Sequence, residues 1–160
     1  DRAAEILSWL MRDRRPEAWN EWAEVVWREP RAPKGIGDMP HSWATADFIR
    51  SFRTMLAYER DADTALVLCA GIPDAWVLDS AGVHVDALPT HYGPVSFAVR
   101  GAPGRATVEI AAGTAIPPGK IRVVSPLAGR PRVVEGGASA GTDGRSALVD
   151  RLPARIVFTY

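Results

Sequence analysis

Two hydrophobic periods divide this chain. Ala3, Ile6, Leu7 and Leu10 recur at i, i+3, i+4 and i+7, which predicts one amphipathic helix over residues 2–13. Pro16 suits the first turn of a second, short helix carrying Trp19, Trp22, Val25 and Val26. The connection "REPRAPKGIGDMP" is too rich in proline and glycine to continue it. Ser42 then offers an N-cap for a third helix reaching about Tyr58, with Phe48, Ile49, Phe52, Met55 and Leu56 on one apolar face expected to be buried. Helix is thus expected up to about Arg60. After "ERDADT" the period falls to two. "ALVLCA", "VHVDAL", "VSFAVR", "ATVEIA", "KIRVVS", "RPRVVE" and "ARIVFTY" are strand-like, and "SALVDRL" is a weaker eighth run. Turn signals every eight to twelve residues over much of this stretch ("GAPG", "PPG", "GGASAGTDG") predict an antiparallel sandwich rather than parallel strands with crossover helices. "IPDAWVL" fits a single helical turn, and "EGGASAG" a flexible hairpin tip. The expected architecture is α+β: helices over residues 1–62, then an antiparallel β-sandwich over 63–160.

Composition narrows the function classes. Nineteen basic residues balance nineteen acidic ones among 160, and no basic run is interleaved with aromatics, so neither a nucleic acid nor an anionic membrane is the expected partner. No run approaches the length of a membrane span. The lone cysteine, Cys69, sits in the apolar "ALVLCAG", where a buried, inert thiol is expected. His41, His84 and His91 share no short ligand spacing with cysteine or with one another, so no metal or other cofactor is expected. His84 alternates with Val83 and Val85 and falls on the solvent face of its strand. The chain opens without methionine, inside what reads as a helix, and its helices carry more aromatic residues than three helices can bury. It therefore reads as a piece of a longer polypeptide whose N-terminal part, with any signal that sets its localisation, lies upstream.

The stretch over residues 17–43, "EAWNEWAEVVWREPRAPKGIGDMPHSW", concentrates the chemistry, with four tryptophans, four glutamates, an aspartate and a histidine. If 17–26 is helical, Glu17, Glu21 and Glu24 share one face at i, i+4 and i+7, and Trp19 and Trp22 share another. Such a glutamate face is either a solvated stripe or a source of one catalytic carboxylate. The tryptophans either pack between helices or stack on sugar rings, since an indole offers a large apolar plane with a polar edge.

The segments "GDMPHSWATADFIRSF", "LVLCAGIPDAWV", "VHVDALPTHYGPVSFAVR" and "ATVEI" resemble, in order and spacing, the C-terminal end of bacterial six-hairpin glycosidases, nearest to the α-L-rhamnosidase-type group and to proteins described as coagulation factor 5/8 type domain proteins. The resemblance runs from about Trp19 to Ile110. It implies the last helices of an (α/α) toroid followed by a β-sandwich, a carbohydrate substrate, and hydrolysis of an O-glycosyl bond in the full-length protein. In that group a "W-E-R-W-D" type motif supplies the general base, and a histidine follows at the pocket. Here these correspond to "WNEWAE" and "MPHSW". Matched without a gap, the base falls on Asn20, an amide, with Glu21 one place later. The resemblance thus implies Glu21 as the catalytic base through a local shift, with Asn20, Trp22, Asp38, His41 and Trp43 as substrate contacts. Trp19 and Trp22 would support Glu21 from behind. For Asp38 the competing role is a turn-forming one. Glycosidase chemistry needs a second carboxyl group, which would lie upstream. The alternative from another class is a non-catalytic carbohydrate-binding or structural β-sandwich, which surface aromatics on the strands would favour.

Overall fold

A computed structural model describes residues 2–12, 14, 17–25, 37–135 and 139–160. Pro16, Val26, most of the "REPRAPKGIGDMP" connection and the 136–138 part of "EGGASAG" lie outside the described residues. The chain forms two compact units, Asp1–Arg53 and Thr54–Tyr160.

In the first unit, α1 covers Arg2–Arg12, with Glu5 in its first turn and Arg12 in its last, signs that complement the helix dipole. Arg14 donates from Nε to the Met11 carbonyl at 2.8 Å and from Nη1 to Asn20 Oδ1, tying the end of α1 to the next turn. Only Glu17–Trp19 is helical in the "EAWNEWAE" stretch, as a single 3₁₀ turn. Asn20 ends that turn with φ 53°, its N–H bonded to the Glu17 carbonyl at 3.2 Å. Asparagine tolerates this left-handed backbone because its short amide can bond locally. The second α-helix expected here is absent over 17–25, and with it the shared helical faces of Glu17, Glu21 and Glu24 and of Trp19 and Trp22. Instead, Trp22–Glu24 runs beside Asp38–His41: Glu24 N–H bonds the Asp38 carbonyl and His41 N–H bonds the Trp22 carbonyl, each at 2.9 Å.

Helix α2 covers Ser42–Leu56. Its first bond runs from Thr45 N–H to the His41 carbonyl at 3.3 Å, so His41 holds the cap position expected for Ser42. The apolar face read from the sequence is only partly covered. Phe48 is half-buried against Trp22, whereas Ile49 and Phe52 are exposed.

The second unit begins inside the segment expected to be helical: Ala57–Arg60 is strand β1, paired antiparallel with β2 (Ala65–Leu68) from Ala57↔Leu68 to Arg60↔Ala65. Helix α3, Asp74–Val77, is the single turn of "IPDAWVL". Each of the eight strand-like runs contains a strand: β2, β3 (Val83–Leu88), β4 (Val95–Ala102), β5 (Arg105–Ile110), β6 (Ile121–Val124), β7 (Val133–Glu135), β9 (Ser146–Val149) and β10 (Ala154–Thr159). The two-residue β8, Ser139–Ala140, had no counterpart in the sequence pattern. The strands form two five-stranded sheets, ordered β1-β2-β6-β9-β8 and β3-β4-β5-β10-β7. All pairings are antiparallel except β2 with β6, which is parallel. The expectation of a wholly antiparallel sandwich is corrected at that one seam, where β3, β4 and β5 of the other sheet intervene in sequence between the two parallel strands.

The alternation explains the layering. Val95, Phe97 and Val99 of β4 are buried while the residues between them are half-buried, and Leu66, Leu68, Ile121, Val123, Ala147 and Val149 of the first sheet join them in one core with Val108, Ile110, Ile156 and Phe158. Two sheets sharing one apolar core is the arrangement of a β-sandwich. Each fully buried Leu, Ile, Val or Phe contributes roughly 1.5–3 kcal/mol relative to exposure.

Candidate functional site

The site is built where the Trp22–Glu24 segment meets the start of α2. Trp22 anchors it: the indole is 5% exposed, stacks on Phe48 at 4.4 Å between ring centroids, and donates from Nε1 to the Leu10 carbonyl at 2.8 Å. The stacked contact with Phe48 and the bond from its polar edge make Trp22 a packing residue between the helices. Asn20 is a turn residue whose side chain accepts from Arg14. Trp19 is 63% exposed.

Fixing Trp22 fixes its neighbour. Glu21 is half-buried, and its Oε2 accepts a hydrogen bond from Thr45 Oγ1 in the first turn of α2. The same hydroxyl lies 3.4 Å from the His41 carbonyl. Glu21, Thr45 and His41 are therefore joined at the N-terminal end of α2, where the helix dipole favours a carboxylate. Trp43, two residues after His41, is 79% exposed, its ring edge-on to the His41 imidazole at 6.0 Å. The structure thus links Glu21, through Thr45, to the backbone at His41, and sets the His41 imidazole against Trp43, three of the residues expected at a sugar site. Thr45, which orients Glu21, was not anticipated.

Asp38 also lies close to His41. Asp38, His41 and Glu24 each present a ligand atom, all within 4.8 Å of one another. No short ligand spacing in the sequence marks the whole of this group, because Glu24 comes from a separate segment. The visible signal was Asp38-x-x-His41 after a glycine.

The second unit offers a shallow groove of about 580 Å³ on the outer face of its β3-β4-β5-β10-β7 sheet, lined among others by His84, Asp86, Ser96, Ala98, Glu109 and Arg155. His84 is exposed there, with Nε2 3.0 Å from the Ala81 carbonyl and 3.1 Å from Arg100 Nη2. Among the described residues of 54–160 no tryptophan or phenylalanine is exposed. Comparison with known protein families, with curated proteins and with solved structures found no match.

Proposed function

We propose that the chain is the C-terminal portion of a glycoside hydrolase, supplying one wall of a sugar site at the start of α2. The observation that carries this reading is an oriented carboxylate, Glu21 bonded by Thr45, reaching from a separate segment to the start of α2, where an imidazole (His41) stands edge-on to an exposed indole (Trp43). A carboxylate held this way can take a proton from water or attack an anomeric carbon, and an exposed indole can stack on a pyranose face. The apolar side chains left exposed on α1 and α2, among them Ile6, Trp9 and Ile49, fit helices that pack into a larger helical domain such as a toroid. A second carboxyl group would come from that domain. The alternative, sugar binding by the sandwich itself, would have to use partly buried aromatics, since no tryptophan or phenylalanine of the described sandwich residues is exposed.

The test uses the longer protein that this reading requires. Glu21→Gln should lower turnover of a susceptible aryl glycoside by roughly a hundredfold or more, the usual size of a general-base contribution. His41→Ala should mainly raise KM. The 160-residue chain alone should show no turnover above its own Glu21→Gln variant. Unchanged turnover in Glu21→Gln of the longer protein refutes the assignment.

A further inference from the structure

The geometry points to a divalent-cation site formed by Glu24, Asp38 and His41, distinct in its donor set from the Glu21–Thr45 pair. Two carboxylates and an imidazole bring their ligand atoms within 4.8 Å of one another. Around one ion at about 2.0–2.2 Å from each ligand, neighbouring donor atoms stand roughly 3 to 4 Å apart. The group therefore needs to contract by only about an ångström, and the exposed Glu24 and Asp38 side chains have the freedom to do so.

The backbone holds these ligands in register. The paired bonds Glu24 N–H to the Asp38 carbonyl and His41 N–H to the Trp22 carbonyl bring two segments together that are fourteen or more residues apart in sequence. Gly37 completes the arrangement. A Cβ at that position would lie 2.6 Å from Glu24 Oε2 and 2.8 Å from Glu24 Cβ, so the Glu24 side chain occupies the space that any other residue would fill. Glycine at 37 is what lets that carboxylate lie beside Asp38. The described structure gives these two side chains no Lys or Arg partner.

The donor set selects the ion class. Oxygen donors suit Mn²⁺ as well as Mg²⁺ and Ca²⁺, while the imidazole adds affinity for borderline transition ions, so Mn²⁺ and Zn²⁺ are the fitting choices, with water completing the coordination. This site does not rest on the glycosidase reading, because Glu21 takes no part in it.

Titration of the 160-residue chain with Mn²⁺ alone, followed by water-proton relaxation, and with Zn²⁺ alone, followed by calorimetry, tests the site. One saturable ion per chain is expected. Glu24→Gln and Asp38→Asn should each weaken binding by at least about tenfold, the size seen when even outer-shell partners of a metal are lost. His41→Ala should weaken Zn²⁺ more than Mn²⁺, a difference that a merely structural histidine would not produce. Gly37→Ala removes no ligand, yet should weaken both ions, and unchanged binding there would overturn the part assigned to Gly37. Glu21→Gln should leave binding within about twofold, which separates this site from the proposed hydrolytic base. Far-ultraviolet circular dichroism of each variant establishes that it is folded. Absence of saturable binding up to about 1 mM, or binding that survives in Glu24→Gln/Asp38→Asn, overturns the proposal.

Discussion

At the scale of single residues, environment decided which reactive groups are available. Cys69 lies at the end of β2 with φ 66° and is buried among apolar side chains, and that burial pushes its thiol pKa up. A thiol kept protonated is neither nucleophile nor metal ligand. Iodoacetamide at pH 8 should therefore label Cys69 at least about a hundredfold more slowly in the native chain than in denaturant. Comparable rates in both would mean that the core around β2 opens readily. The buried thiol was legible from the apolar run "ALVLCAG" alone. The roles of Trp19 and Trp22 were not. Their spacing of three fits one face of a helix, but Asn20 takes a left-handed conformation between them and sends one indole to solvent and the other into the core. Glu24, Asp38 and His41 were equally hidden as a group, since two backbone bonds between separate segments, not sequence spacing, bring them together.

At the scale of elements, strands were more legible than helix ends. Alternation fixes which face of a strand is buried, and the turn residues between runs mark the limits, so eight strands could be placed. The sequence "MLAYER" continues an apolar run without a breaker, so the change from α2 to β1 at Ala57 is set by pairing with Leu66–Leu68 and not by local preference. The parallel seam of β2 with β6 was likewise invisible, being a contact across more than fifty residues. Carboxylates pin two of the turns. Asp63 hydrogen-bonds and pairs with Arg60, which holds its carboxyl below the ordinary range. At Asp143 burial pushes the carboxyl up, but bonds from Arg145 N–H and from the Ser146 hydroxyl and N–H outweigh it, and the net shift is downward. Both folded values lie below the unfolded one near 4, so the unfolded chain binds protons first as pH falls. Their contribution is complete above about pH 5 and is lost as pH falls through the folded values. The melting temperature should be nearly flat from pH 7 to 5 and should fall below about pH 4. Asp143→Asn should melt lower at neutral pH and lose less on acidification. An acid loss equal to that of the unaltered chain would show that Asp143 does not couple to folding.

At the scale of the whole molecule, the two compact units differ in how well each buries its apolar residues. Among the described residues, Trp22 and Ala23 are the buried apolar side chains of Asp1–Arg53, while Thr54–Tyr160 holds the shared core of two sheets from Leu56 to Phe158. Stability scales with apolar area removed from water, so the sandwich unit should outlast the helical one under denaturant. Its backbone depends on close approaches that only glycine permits: a Cβ on Gly119 would stand 2.0 Å from the Asp63 carbonyl oxygen, a contact with main chain that no side-chain rotation relieves. The tryptophans make the difference measurable. Five of the six, Trp9, Trp19, Trp22, Trp27 and Trp43, belong to the first unit, so indole fluorescence follows the helices while circular dichroism near 215 nm weighs the sheets. Urea unfolding should give two midpoints, fluorescence changing at the lower concentration, which is the departure from two-state behaviour expected of units with separate cores. Gly119→Ala should lower the dichroism midpoint, by about 2 kcal/mol on the scale of overpacking at a rigid contact, and leave the fluorescence midpoint nearly in place. Superimposable transitions, or a Gly119→Ala effect shared equally by both signals, would mean that the helices and the sandwich unfold as one cooperative body.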